Sequence, residues 1–245
     1  MLKRTEGIVL KNFSIGEADL IVTYLTRDFG VLKVFAKSPR KVKSRFGSSL
    51  EPLTYSRISF IGKEDANLPR LTQSDILSPF YKLREDYLRF IDISNMLQLN
   101  ITFLPERERH TEFFNLLLRT LFKLNSDSSN LLYPLYYRIK FLEIAGYLPG
   151  LNVCGRCGKR IAGNLKSRGS ENDGNFHIAH GAIICEKCSA DGNGSIKVST
   201  AALKFYISLV KWQLPNIGRI NAPDYLLSEI GNVVNSHIKW LSGHR

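Results

Sequence analysis

The chain has 245 residues, room for one large domain or two or three small ones. Its 44 % hydrophobic and 23 % charged residues are those of an ordinary globular protein, and no stretch approaches the roughly 18 uncharged apolar residues of a membrane-spanning helix. A net charge of +12, from 34 basic against 22 acidic residues, favours a polyanionic partner, nucleic acid before an acidic membrane surface. The first apolar run, Ile8-Val9-Leu10, is too short for a secretory leader, and a cytoplasmic location is expected.

Residues 1–80 carry short β-branched and aromatic runs at 5–13, 20–26, 30–36, 53–62 and 68–76, separated by turn-forming residues at 14–19, 26–30 and 62–67. Five such strands predict a small barrel, and the OB-fold is preferred to an SH3-like barrel as the commoner nucleic-acid platform. Lys33, Lys37, Arg40, Lys41, Lys43 and Arg45 follow with no acidic residue between Asp28 and Glu51. Phosphates attract such a basic segment whatever the base sequence, so these six are the candidate DNA-binding residues. Phe35, Phe46, Tyr55 and Phe60 are candidates for stacking on bases, although each also suits a core position.

From Lys82 the apolar period becomes helical. Tyr87, Phe90, Ile91, Ser94 and Leu97 define one helix, and Phe113, Phe114, Leu117, Leu118 and Leu121 a second. A polar loop at 125–130 precedes a third helix over 132–147, which Gly146 and Pro149 help to end. Two more helices are expected near the end of the chain, one behind the cap candidates Ser199 and Thr200 and one carrying Leu226, Ile230, Val233, Val234 and Ile238.

Between these helical blocks lie Cys154-Gly155-Arg156-Cys157 and Cys185-Glu186-Lys187-Cys188. Each C-x-x-C turn brings two thiolates to one ion, and two such turns complete a Cys₄ site for a single structural Zn²⁺. Gly155 and Gly158 suit the tight turn at the first pair. The long separation of the pairs reads as a polar loop rich in Gly, Ser and Asn. A redox C-x-x-C needs only one pair, and a catalytic zinc needs an open position, for which His177 and His180 are the nearby candidates; both histidines are expected on the strand leading to Cys185.

The chain has no phosphate-binding G-x-x-x-x-G-K-[ST], no G-x-G-x-x-G after a strand and no G-x-S-x-G elbow. No catalytic residues are therefore predicted. A zinc-ribbon enzyme of nucleic-acid metabolism (a nuclease or RNA-modifying protein) and a zinc-stabilised module binding only protein stand as the other readings.

The run from Gly16 to Thr26, Phe29-Gly30-Val31, Ala36-Lys37, Lys43-Ser44-Arg45-Phe46-Gly47 and Leu50-Glu51-Pro52-Leu53 together resemble the N-terminal domain of the RecO family. The run from Lys140 to Pro149, leading into Cys154-x-x-Cys157-Gly158-Lys159, is similar to that family's junction between helix and zinc module, and Cys185-x-x-Cys188 behind Gly181 fits as well. The resemblance covers residues 5–190; beyond them only the helical pattern matches. It implies a multidomain α+β protein: an OB-fold β-barrel at 1–80, a helical domain at 81–150 and 195–245, and an inserted Cys₄ zinc module at 151–194. It further implies a nucleoid-associated recombination mediator without catalysis, which binds single- and double-stranded DNA and anneals complementary strands. The implied partners are RecR, the C-terminal tail of single-stranded-DNA-binding protein and, indirectly, RecA. Tyr137, Arg138 and Lys140 are the candidates for gripping that tail. Ser38-Pro39 departs from the Gly-containing turn usual in the family, and Tyr137-Arg138 from its frequent Phe-Glu.

Overall fold

The fold is that of a computed structural model, which describes residues 1–39, 46–63, 66–85, 87–127, 130–161, 174–185, 187–188 and 194–243. Strands β1 (Leu2–Ile15), β2 (Asp19–Thr26), β3 (Gly30–Ala36), β4 (Tyr55–Ile61) and β5 (Arg70–Ser78) close a barrel in the order β1-β2-β3-β5-β4. The five expected runs thus all form strands. β1 closes the barrel by serving two partners: Leu2–Ile8 pair with β4, from Leu2 opposite Ile61 to Ile8 opposite Tyr55, and Gly7–Ile15 pair with β2.

The two halves of β1 are not in phase. Val9 lies opposite Tyr24 and Lys11 opposite Thr23, which leaves Leu10 as an extra residue in a bulge. Because strand side chains alternate faces, one extra residue turns every later odd-numbered position over. Val9 points into the core with Val22, Tyr24, Leu32, Val34, Ile58, Phe60 and Leu71, whereas Lys11, Phe13 and Ile15 lie exposed.

Helices α1 (Lys82–Glu85), α2 (Tyr87–Phe103) and α3 (Thr111–Ser126) follow. They share one compact unit with the barrel, residues 1–128, and the remainder forms a second, residues 129–245. The division falls within the helical block read over 81–150. α2 lies against β1 and α3 against β2, and Tyr55 meets the rings of Phe114 and Phe122 at 6.3 and 6.4 Å. The connection between α2 and α3 also docks on the barrel: the Arg107 N–H donates to the Val31 carbonyl at 2.9 Å. Gly30 permits this approach. Its φ is +59°, and a Cβ there would stand 1.6 Å from the Glu108 carbonyl oxygen.

The second unit holds α4 (Leu132–Ile144), a small sheet ordered β7-β6-β8, and three helices. The strands are β6 (Gly174–His177), β7 (Ala182–Ile184) and β8 (Ser195–Val198); the helices are α5 (Thr200–Lys211), α6 (Leu214–Ile217) and α7 (Asp224–Gly243). Ser199 caps α5 as expected, its hydroxyl accepting from the Ala202 N–H at 3.2 Å and donating to Glu229 of α7 at 2.9 Å. His177 and His180 do not share one strand. His177 ends β6 and His180 ends a 3₁₀ turn, because Gly181, at φ +58°, reverses the chain before β7. His237 of α7 fits beneath that glycine, whose added Cβ would meet its ring at 2.9 Å. The His237 Nε2–H donates to the Tyr147 carbonyl at 2.9 Å. No described helix is long and apolar enough to cross a membrane.

Two consequences can be measured. Gly30→Ala should lower stability by about 2 kcal/mol or more, since it adds left-handed strain to a backbone clash; unfolding in urea with an unchanged midpoint would contradict the docking of the α2–α3 connection. Burial holds the His237 imidazole below its ordinary pKa, against the opposing hydrogen bond to Tyr147. The neutral ring is the form that packs, so its contribution is complete above the unfolded value of about 6.5 and is lost as pH falls below it. Stability should therefore drop from pH 7.5 to pH 5, and His237→Gln should shallow that dependence. Identical pH profiles for the two proteins would refute the assignment.

Candidate functional site

The second unit brings the four cysteines together. The Sγ atoms of Cys154, Cys157, Cys185 and Cys188 all lie within 4.8 Å of one another and could hold a metal ion. An ion about 2.3 Å from each sulfur of a tetrahedron sets an S···S edge of about 3.8 Å, and Cys157 and Cys185 stand 3.8 Å apart. Backbone geometry builds the site. The Cys154 N–H donates to the Lys159 carbonyl and the Gly158 N–H to the Cys154 carbonyl, at 2.8 and 2.9 Å, which closes the first turn. The glycines there do different work: Gly158 takes φ +72°, whereas Gly155 lets the turn approach β7, a Cβ there lying 2.8 Å from the Ala182 Cβ. The Gly155 N–H then donates to the Ile183 carbonyl at 2.9 Å, fixing the first cysteine pair against the strand that delivers the second.

The thiols are electrostatically unequal. Burial raises the Cys154 pKa, but the amides of Cys185, Cys157 and Arg156 outweigh it and lower the value to about 6. The Cys185 N–H reaches the Cys154 sulfur at 3.4 Å. Cys188 is pushed up to about 12, chiefly by side-chain hydrogen bonds with Cys185 and Cys157. Four adjacent thiolates repel one another, and a bound cation relieves that repulsion. The ring centroids of His177 and His180 are 4.7 Å apart, and neither histidine belongs to the metal-ligating group found among the described residues.

A second candidate lies on the barrel's outer face. The register aligns Phe13 with Ile21 and Ile21 with Phe35, and it aligns Lys11 with Thr23 and Thr23 with Lys33. An apolar row across three strands therefore runs beside a row with a lysine at each end. Phe13 is 68 % exposed, while Ile21 and Phe35 are half-buried. Phe46, Tyr55 and Phe60 are buried, so of the four aromatics named as possible stacking groups, Phe35 is the one on this face. Phe13 and Lys11 were missed because the bulge at Leu10 reverses their side, and an alternating pattern does not reveal a bulge.

Lys33 pairs with Glu106 at 2.5 Å, which partly neutralises it, and Lys37 is exposed. Arg40, Lys41, Lys43 and Arg45 lie outside the described residues. At the start of their segment Ser38 adopts φ +54°, and its N–H donates to the Asp19 carboxylate at 2.7 Å. Serine thus takes here the left-handed backbone that glycine adopts at lower cost.

The three residues proposed for tail binding lie on α4, a helix apolar nearly all round and buried for that reason. Tyr137 is a correction to the sequence reading. It is fully buried, its ring 6.0 Å from that of Phe141, and it belongs to the core. The Lys140 ammonium contacts Glu143 at 2.7 Å and the Val210 carbonyl at 2.5 Å. Arg138 reaches Asn235 of α7 at 2.6 Å with its outer nitrogen at the surface.

Comparison with known proteins covers both units. Residues 1–80 match the family model described as recombination protein O N terminal, and residues 84–245 match recombination protein O C terminal. The DNA repair protein RecO of Thermodesulfovibrio yellowstonii is 45 % identical over 98 % of this chain and 93 % of its own. Those of Nocardioides sp. and Dehalococcoides mccartyi are 33 % and 30 % identical, over 98 % and 97 % of this chain and 94 % and 90 % of theirs.

Proposed function

The chain belongs to the RecO family, and from that premise we propose that it is a DNA-repair protein that binds DNA on the outer face of its barrel. The observation that carries this reading is the outward row Phe13–Ile21–Phe35, exposed at Phe13 and half-buried at Ile21 and Phe35, flanked by Lys11, Lys33 and Lys37. Apolar rings offer bases a stacking surface, and flanking ammonium groups attract phosphates. The strand order β1-β2-β3-β5-β4 supports assigning the barrel to the OB class, and Arg40, Lys41, Lys43 and Arg45 extend the cationic border in sequence.

In this reading the chain acts without catalysis, binding single- and double-stranded DNA and annealing complementary strands as a recombination mediator. With RecR it helps to load RecA onto DNA coated by single-stranded-DNA-binding protein. Of the residues considered for that protein's tail, Arg138 is the one retained as a carboxylate contact, because its outer nitrogen meets Asn235 at the surface, whereas Tyr137 is core and the Lys140 side chain is largely buried. A cytoplasmic, nucleoid-associated location accords with the four free thiols. The domain limits at 80, 150 and 194 belong to the same proposal, with the helical and zinc segments as functional parts.

We also propose that the thiol cluster holds one structural Zn²⁺ through Cys154, Cys157, Cys185 and Cys188. The Cys157–Cys185 separation of 3.8 Å, the edge of such a tetrahedron, and the all-thiol donor set support it. Bound zinc would cross-link two distant turns and keep their thiols ionised. Metal analysis of the purified protein should give about one zinc per chain, and Cys154→Ser should lose the metal and lower the thermal midpoint; metal-free protein of unchanged stability would overturn this assignment.

The DNA face is tested separately. Lys11→Glu/Lys37→Glu should weaken binding to unrelated single-stranded oligonucleotides about equally and flatten the salt slope by about 0.7 per lost phosphate contact. Phe13→Ala should cost about 1–3 kcal/mol of single-strand binding. Wild-type affinity and salt slope in both variants would move the DNA site elsewhere.

A further inference from the structure

The mouth of the barrel holds a cavity of about 190 Å³ that the outer row does not use, lined by Lys3, Phe29, Leu32, Phe60, Lys63 and Arg107 among others. Lys3 and Phe13 sit ten residues apart on β1, which separates the two places by up to about 30 Å. The floor is blind, because Leu32 and Phe60 are core residues. Above it Phe29 stands edge-on to Phe60 at 5.4 Å, with the Lys3 ammonium 5.5 Å from the Phe29 ring centre. The described lining supplies three cations from three separate segments and no carboxylate; the β4–β5 connection also contains Glu64 and Asp65, which lie outside the described residues. Arg107 is held at the rim in a left-handed backbone, φ +66°. Its N–H donates to the Val31 carbonyl and its guanidinium to the Ala66 carbonyl.

We propose that this mouth binds the terminal nucleotide of a DNA strand, the base against Phe29 and the phosphate among Lys3, Lys63 and Arg107. The proposal rests on the DNA-binding reading and adds a second, distinct grip to it. An aromatic ring beside clustered ammonium and guanidinium groups matches a ligand that joins a flat apolar ring to an anion. The cavity is small, with room for about one base, and its closed floor cannot pass a continuous strand. A chain end satisfies both limits. Lys3 leaves the face of Phe29 when the base arrives and meets the phosphate.

The test uses the full chain and short single-stranded oligonucleotides with 5-iododeoxyuridine at either end or in the middle, irradiated and mapped by mass spectrometry. End-labelled strands should cross-link to Phe29 and mid-labelled strands to Phe13 or Phe35. Lys3→Ala/Lys63→Ala should cut the Phe29 adduct about tenfold, the scale of losing a stacked base and its phosphate contacts, and leave the Phe13 and Phe35 adducts unchanged. Phe29→Leu, which keeps the mouth apolar, should abolish the end-specific adduct. Cross-links at Phe13 or Phe35 with none at Phe29 would overturn the mouth proposal alone. No adduct on the barrel from any strand would overturn the outer-face reading and the mouth proposal together. Protection of Phe29 by an acidic peptide with a terminal aromatic residue, without any DNA adduct there, would assign the mouth to protein and overturn the nucleotide.

Discussion

Closure of the barrel through β1 is the constraint on which the first unit depends. One strand of 14 residues pairs with β4 along its first half and with β2 along its second. Without both pairings the sheet has two open edges, and the row of core side chains from Val9 to Leu71 has no enclosed space to fill. The bulge at Leu10 reconciles closure with display. Val9 completes the interior, and two residues later Lys11 begins an exterior stripe. Candidate DNA contacts and core packing therefore come from the same strand without competing for a face.

The second unit depends instead on close backbone approach. Gly155 against Ala182 and Gly181 against His237 are contacts that a side chain would obstruct; the first lies inside the Cys154–Cys157 turn and the second on the approach to Cys185. The site is thus a product of turns and short strands, since β6, β7 and β8 contain only four, three and four residues. A sheet so small does not persist alone. It is sustained here by α7, which supplies His237 beneath the turn.

Much of this was legible in the sequence. Alternation placed the five strands, Ser199 marked the start of α5, and the paired C-x-x-C turns identified the thiol cluster before any geometry. What escaped was orientation. Tyr87, Phe90 and Ile91 announce a helix by their spacing, yet they are 75, 37 and 43 % exposed, while Ile93, Met96, Leu97 and Phe103 fill the core. α2 is apolar on more than one side, and periodicity does not say which side meets the barrel. Phe13 was hidden for a related reason, because one inserted residue changes the side without changing the pattern. Tyr137 was misassigned because α4 has few polar positions to mark its exposed side.

The separation of the two thiol pairs has a consequence for how the chain can vary. Closing a flexible loop costs conformational entropy that grows only with the logarithm of its length, so a doubling adds about 0.6 kcal/mol. The 27 residues between Cys157 and Cys185 are anchored at both ends by contacts that ignore what lies between: the Gly155 N–H on the Ile183 carbonyl and the Cys185 N–H on the Cys154 sulfur. The two anchors therefore tolerate a change in the number of residues between them, provided that Gly174, packed against Ile183, stays in register.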